Sequence, residues 1–475
     1  MGTEIVWFRR DLRVRDHPAL HEAASGDGSV VPLFVVDPAI VGGRGASRPR
    51  ARFLATSLHE LDGALRERGG RLVVRHGDPA EVLPALAREV GADVVRWTAD
   101  ASPFGRARDA RVSEALDAAG IAVREHPGQY VVDPAVPRTG SGGTYGVFSP
   151  FHRSWDGQER RRIHDAPRTL RVPQVGGEGL PSARELAPAD LPDVPEPFAE
   201  GGEEAGLRAA RSWLDGPLAE YADRHDALAV PGARPAGGTS GLSPHLRWGT
   251  ISSRWLEGRA RRLEGEGPAA FVRQLAWRDF YAHVYLHHPG DRHREHQERY
   301  RSLAWEEDDE ALDAWRAGRT GYPLVDAGMR QLAATGWMHN RARMVVGSFL
   351  TKDLHLDWRV GERHFHRLLL DGEPAQNDGN WQWVTSVGVD PKPYFQRMFN
   401  PIRQQERFDP DGRYVRRWVP ELARVPDGLL AEPWRMDEDQ QRAAGCRIGE
   451  DYPGPIVDHA EEREHAAARY RAATA

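Results

Sequence analysis

Short apolar, β-branched runs alternate with helix-period stretches through residues 1–130. Runs of strand length stand at Glu4–Phe8, Val30–Val36, Arg71–His76, Asp93–Trp97 and Ile121–Glu125. Between them, Arg50–Arg68, Pro79–Glu89 and Gly105–Ala119 place apolar residues at helical spacing. The Asp78-Pro79 pair marks a helix start, with proline in the first helical position. This order predicts an α/β, doubly wound parallel sheet of Rossmann-like type. No Gly-x-Gly-x-x-Gly follows the first strand, so the dinucleotide fingerprint is absent. The crevice of this half either takes another ligand or belongs to a scaffold.

The pattern changes after residue 130. Residues 131–206 read as an irregular interdomain linker: Gly140-Ser141-Gly142-Gly143 is pliable, and Leu170–Gly206 is rich in proline, glycine and acids. From 207 to 475 strand signals vanish and amphipathic helices dominate, which predicts an all-α domain. Three segments are therefore expected: 1–130, 131–206 and 207–475.

At 475 residues, 40% hydrophobic and 28% charged, the chain has the composition of a globular protein with a large core. No apolar run is long enough for a transmembrane helix, and the N-terminus enters a strand without a leader-like segment. A cytoplasmic monomer without membrane contact is expected. The single cysteine, Cys446, excludes a disulfide framework and a cysteine-ligated iron–sulfur cluster. A net charge of −6 is not the footprint of a general nucleic-acid binder, so any DNA site must be a local basic patch. That patch would consist of arginine, because only Lys352 and Lys392 are lysine. His283, His287, His288, His293 and His296 come without HExxH or Cys/His spacing and read as a solvated, histidine-rich helix end, so no metal is expected.

Tryptophan stands out: 15 in all, eight of them after residue 300. Indoles are easily oxidised by one electron and can relay charge to a redox cofactor, although they also pack cores well. Gly237-Gly238-Thr239-Ser240-Gly241-Leu242-Ser243-Pro244 combines a pliable loop, a candidate N-cap in Ser243 and a proline at the helix start. It suits either an anion or an ordinary capped helix. Gln274, Trp277, Arg278, Tyr281 and Tyr285 share one helix face. That face fits a stacked heterocycle or a buried aromatic cluster. A Trp337–Asp353 helix would align Asn340, Arg343, Met344 and Gly347, with Arg341 at the border. Asp371 in a sharp turn is a ready ion-pair partner for Arg343.

Together with Val6-Trp7-Phe8-Arg9-Arg10-Asp11-Leu12-Arg13, Thr320-Gly321-Tyr322-Pro323-Leu324-Val325-Asp326 and Asn380-Trp381-Gln382-Trp383, these residues resemble the photolyase/cryptochrome family. Within it they look like the class I photolyases that repair cyclobutane pyrimidine dimers (CPDs). The resemblance implies an α/β domain, a long connection and a helical domain that binds FAD. It implies that Tyr221 and Thr239, Ser240, Gly241, Leu242 and Ser243 bind the FAD phosphates. Phe271, Gln274, Trp277, Arg278, Asn340, Arg343, Asp371, Gly372, Glu373 and Asn377 would surround the rest, with Asn377 facing the flavin. Trp381, Trp358 and Trp305 match an electron-hopping chain. UV-damaged DNA is the implied partner, met by Arg224, Gln274, Trp277, Asn340, Arg341, Met344, Trp383 and Arg397, with the dimer flipped out of the stack. An electron from excited, reduced FAD would open the dimer and return. Phe34, Arg50 and Asp100 resemble an antenna site, with a deazaflavin favoured over a folate.

Some positions depart from the family pattern. Gln274 stands where the class usually has Glu, Glu373 where it has Asp, and Asp378 and Asn380 where it has Asn and Gly. Gln274 is typical of the branch that repairs (6-4) products, but that branch needs histidines where this chain has Asn340 and Met344. A cryptochrome-like photoreceptor is the alternative expectation.

Overall fold

The computed structural model describes residues 2–43, 45–230 and 237–474. Its sheet has five parallel strands: β1 (Thr3–Phe8), β2 (Ser29–Val36), β3 (Val73–His76), β4 (Ala92–Thr98) and β5 (Ala122–His126), in the order β3-β2-β1-β4-β5. Alternation along β1 divides the core. Val6 and Phe8 pack with Phe34, Leu54 and Leu58 on one face, while Ile5 and Trp7 pack with Leu33, Leu83 and Trp97 on the other. The order reverses at β1, so the crevice lies beyond the carboxyl ends of β1 and β4. Arg9, Arg10 and Asp11 follow β1 there, and Asp100 follows β4.

Helices Arg48–Arg66, Pro79–Val90 and Pro103–Asp117 form close to the expected stretches. Each begins at a capping Ser or Asp with Pro in its first turn. The short helices Pro18–Ala24 and Pro38–Val41 were not expected, since neither is long enough to show a period.

Residues 131–206 are not a plain irregular linker. They contain the helix Phe148–Asp156, whose Phe148, Phe151 and Trp155 enter the core of the helical half. Farther on, the segment is strapped along the molecule. Leu170 N–H donates to Arg68 O at 2.7 Å, Val30 N–H to Arg171 O at 2.7 Å, and Phe198 N–H to Thr335 O at 3.0 Å. Its apolar residues bury singly, so no periodicity announces them.

The helical half is built around Glu266–His287, Asn340–Ser348, Trp358–Leu368 and Pro374–Thr385. The expected Trp337–Asp353 helix is shorter. His339 caps it, its ring nitrogen accepting from Arg341 N–H at 3.1 Å, and Trp337 and Met338 stay outside. At its far end Phe349–Asp353 widens into a π turn.

Asp279 fastens the connection to the Glu266–His287 helix. Its Oδ2 accepts from Val132 N–H at 3.0 Å and from Trp155 Nε1 at 2.8 Å, while Oδ1 is buried without a partner. Burial pushes this carboxyl up from 3.8 to about 7. Between these values the unfolded chain has lost the proton and the folded chain keeps it. Ionisation therefore disfavours the fold by about 1.4 kcal/mol more for each pH unit through that window. Asp279→Asn, neutral throughout, is expected to gain stability relative to the parent by a few kcal/mol between pH 4 and pH 7.5. Urea unfolding across that range checks this; a stability difference independent of pH would refute it.

Candidate functional site

The turn before Pro374–Thr385 organises the site. Arg343 donates from Nη2 to Asp371 Oδ2 at 2.8 Å and from Nε to Met338 O at 2.8 Å, so the ion pair expected from sequence is present. Asp371 Oδ1 is buried and unpartnered, and such an oxygen calls for a donor from a ligand. Glu373 is buried and faces the sheet domain. It accepts from Tyr130 OH at 2.9 Å and lies 3.4 Å from Arg278 and 3.5 Å from Arg10. Burial alone would raise its pKa, but Arg278 and Arg10 bring it below the usual value. Arg278 also donates to Gln129 O at 2.9 Å and Leu246 O at 3.2 Å.

One turn on, Asn377 donates to Glu362 Oε1 at 2.7 Å and to Glu362 O at 3.0 Å. Asp378 is hydrogen-bonded to Glu362, and burial pushes both carboxyls up. Trp381 follows, buried, with Phe365 at 5.0 Å and Trp315 at 6.2 Å between ring centroids. Trp315 was missed in the sequence, where nothing separates it from other core tryptophans. Trp381 lies so near the Trp358–Leu368 helix that a Cβ on Gly361 would sit 2.2 Å from its ring. Trp358, fully buried, opens that helix. Trp305 is half-buried, next to the bridge that joins Glu306 to Leu356.

Tyr221, Leu242 and Phe271 meet in one apolar cluster, with Tyr221 and Phe271 edge to face at 5.7 Å. The expected N-cap is corrected: Leu242 occupies that place, and Ser243 is the first residue of the helix Ser243–Trp248. The Ser243 hydroxyl instead accepts from Trp337 Nε1 at 3.2 Å. Ser240 Oγ accepts from Leu242 N–H at 3.3 Å. Thr239 and Gly241 belong to the same loop.

A mixed surface lies outside. Gln274 and Asn340 are exposed, while Trp277, Met344 and Trp383 are half-buried. The helices that carry them pack against or belong to Pro374–Thr385. Phe148 stacks flat on Trp277 at 3.7 Å and 7°, a partner that sequence reasoning missed because it comes from the connection. Two arginines differ from expectation. Arg397 is buried, donates to Trp383 O at 3.1 Å and Asp390 O at 2.7 Å, and lies 4.1 Å over the Trp383 ring. It supports an aromatic and is not presented to DNA. Arg341 is held by Asp226, with Nε 3.2 Å from Oδ1, so its charge is largely compensated. Arg224 is exposed and pairs with Glu220 at 2.7 Å, an ion pair that solvent screens.

Phe34, Arg50 and Asp100 border the seam between the domains. Phe34 lies in β2, and Arg50 donates to the carbonyls of Gly45, His366 and Leu369. Asp100 accepts from Arg10 at 3.3 Å. Arg247 reaches the same seam, donating to Gly372 O at 3.1 Å, while its buried Nη1 has no partner. Burial pushes Arg247 down to about 9, and the nearby Arg10 acts in the same direction. Away from these residues, His288 and His296 gather with Asp291, their nitrogen and oxygen atoms within 4.8 Å of one another, a grouping that their spacing did not reveal.

Residues 4–171 match the family described as DNA photolyase, and residues 271–472 match the FAD binding domain of DNA photolyase. The chain is 45% identical to a deoxyribodipyrimidine photo-lyase of Streptomyces griseus, over 98% of each protein. A crystal structure of a bacterial class III photolyase from Agrobacterium tumefaciens superposes with a TM-score of 0.93 at 38% identity, covering 100% of this chain and 98% of that one. A Synechocystis cryptochrome superposes at 0.90 with 28% identity, covering 98% and 99%.

Gly361 permits the contact on which the placement of Trp381 rests. In Gly361→Ala the new methyl would meet Trp381 at 2.2 Å and Leu350 at 2.6 Å. Both are core side chains, so the expected cost is ~1–3 kcal/mol. Chemical denaturation measures it; a loss below ~0.5 kcal/mol would show that the ring is loosely held.

Proposed function

This chain belongs to the DNA photolyase family, and from that premise we propose how its residues carry out the reaction. It is a light-dependent DNA repair enzyme, a deoxyribodipyrimidine photo-lyase. When bound, reduced FAD supplies the photoexcited electron that splits the pyrimidine dimer. The remaining work belongs to the side chains.

The observation that best supports the residue-level reading is continuity. Asp371, Asn377 and Trp381 lie along one turn–helix unit, and Trp381, Trp358 and the half-buried Trp305 belong to one hydrophobic cluster. Arg343 and Asp371 would clamp the cofactor, with the unpartnered Asp371 Oδ1 free to accept from it. Tyr221, Phe271 and the loop Thr239–Ser243 would hold its other end. Asn377, fixed by Glu362, would present its amide to the flavin. Trp381, Trp358 and Trp305 would pass electrons inward.

Gln274, Trp277, Asn340, Met344 and Trp383 would receive the flipped dimer. The surface offers amides to carbonyls and flat apolar faces to a neutral, saturated ring pair. Phe148 behind Trp277 and Arg397 behind Trp383 stiffen those faces. Asn340 and Met344, in place of a histidine pair, favour cyclobutane dimers over (6-4) products. The class I motifs do not distinguish this chain from the class III structure, so we keep the broader assignment of CPD photolyase. The intact aromatic receiving surface favours repair over a photoreceptor role.

For an antenna we propose a deazaflavin in the domain seam. Three cations, the buried Arg50 and the half-buried Arg10 and Arg247, meet there with the carboxylates Asp100 and Glu373, and Arg247 Nη1 lacks a partner. An acidic, planar chromophore would complete that charge balance.

Purified enzyme is expected to restore CPD-containing DNA under blue light and not in the dark. Trp381→Phe is expected to lose most photoreduction of oxidised FAD while pre-reduced enzyme still repairs; undiminished photoreduction would remove Trp381 from the electron route.

DNA affinity is expected to fall steeply with salt. Each phosphate contact contributes about 0.9 to the log–log slope, so Arg224→Ala is expected to flatten it by about that much. Because Asp226 compensates Arg341, Arg341→Ala is expected to flatten it less. Filter binding across salt concentrations decides, and the reverse ranking would reject this assignment of contacts.

Reconstitution with a deazaflavin is expected to add a blue absorption band and to speed repair in dim light. Arg247→Ala is expected to weaken both effects. Uptake of a folate instead would overturn the seam assignment.

A further inference from the structure

Trp358 has a charged setting that the electron-relay reading leaves unused. Its Nε1–H donates to Glu295 Oε1 at 3.2 Å, and Glu295 is almost fully buried. The same oxygen accepts from Arg359 Nη2 at 2.8 Å. The Arg359 guanidinium lies 4.7 Å over the Trp358 ring. Its Nε donates to His293 O at 2.8 Å and its Nη1 to Asp357 at 3.0 Å, so the fork is pinned on three sides. A buried indole thus has a carboxylate at its polar edge and a cation on its face.

We propose that Glu295 and Arg359 are a tuning pair that sets the energy of the electron-deficient state of Trp358. The inference rests on the reading of Trp381, Trp358 and Trp305 as the electron route. In the step concerned, light-oxidised Trp381 takes one electron from Trp358: Trp381 is reduced to neutral indole and Trp358 becomes a radical cation. Positive charge then appears on the very ring that both groups touch. Glu295 favours it through a charge-assisted hydrogen bond, and Arg359 opposes it across the ring face. Glu295 is buried, so solvent screens its effect little, while the partly exposed Arg359 is screened more. Arg359 shares the accepting oxygen, and the proton stays on Nε1. No bond to hydrogen breaks, and one electron from Trp305 restores the indole.

The sequence concealed the pair. Glu295 lies within Arg292-His293-Arg294-Glu295-His296, a run that reads as solvated surface. It is drawn inward because the loop is tied to the Pro374–Thr385 helix: His296 N–H donates to Gln382 Oε1 at 3.1 Å, and Gln382 Nε2 donates to Asp291 O at 2.8 Å.

The test uses holoenzyme with oxidised FAD and transient absorption after a blue flash. Glu295→Gln keeps a hydrogen-bond acceptor and removes the charge. It is expected to slow the hop from Trp358 to oxidised Trp381 about tenfold, equivalent to ~1.4 kcal/mol of barrier. Arg359→Gln removes the opposing charge and is expected to quicken the hop. The radical on Trp358 is expected to carry the spectrum of the cation, with no slowing in D2O. Resonance Raman of the indole N–H, a readout independent of catalysis, is expected to register a weaker acceptor in Glu295→Gln. FAD content and thermal unfolding are measured alongside, so that a misfolded variant is replaced by Glu295→Asp, for which a rate near the parent's is expected. Shifts of the same sign in the two charge-removing variants, or no shift in either, would overturn the tuning pair. Trp358→Phe separates this failure from that of the route itself: undiminished photoreduction in Trp358→Phe would overturn both, whereas its loss with a silent Glu295→Gln would overturn only the pair.

Discussion

The carboxylate of Glu373 holds the two halves of the molecule together. It is buried where the carboxyl edge of the sheet meets the helical domain, with Tyr130 OH at 2.9 Å and the guanidinium groups of Arg278 and Arg10 at 3.4 and 3.5 Å. A lone charge in that position would be costly; one enclosed by two cations and a hydroxyl is fixed in direction. Glu373 stands immediately before the helix that carries Asn377, Trp381 and Trp383, and it lies two residues from Asp371. Its position therefore sets the Arg343–Asp371 ion pair, Trp381 and Trp383, the residues proposed for the clamp, the electron route and the receiving surface.

Around this anchor, charge decides which parts of the molecule can bind. Buried arginines held by several acceptors, such as Arg397 and Arg278, behave as rigid struts under aromatic or backbone groups. Arg247 has one buried nitrogen unpartnered, and Asp371 has one unpartnered oxygen. Both lie at the surfaces proposed to meet a ligand, where an unsatisfied buried polar atom has a use.

Much of the fold was legible because it depends on local pattern. The strands are buried on both faces and so read as continuous apolar runs, and one helix announces itself with Asp78-Pro79. The Arg343–Asp371 pair was legible because a fork on a helix and an acid in a turn are complementary types. What escaped depends on partners far away in the chain. Arg341 looked available for phosphate until Asp226, 115 positions away, took its charge. Arg397 follows Pro391-Lys392-Pro393, which reads as surface, and nothing local foretold that Trp383 and Asp390 would enclose it. Phe148 was hidden because it follows the pliable Gly140-Ser141-Gly142-Gly143 stretch, which reads as loop. Ser243 has the chemistry of a cap, but the chain enters the helix one residue earlier.

The stacking of Phe148 on Trp277 bears on how such proteins can be recombined. The support behind Trp277, in the proposed receiving surface, comes from neither domain, and Asp279 ties Val132 and Trp155 to the same helix as Trp277. The connection up to Asp156 thus travels functionally with the helical half. A chimera joined at residue 206 would pair one parent's receiving surface with another parent's support, whereas a junction ahead of Val132 would inherit both as a unit.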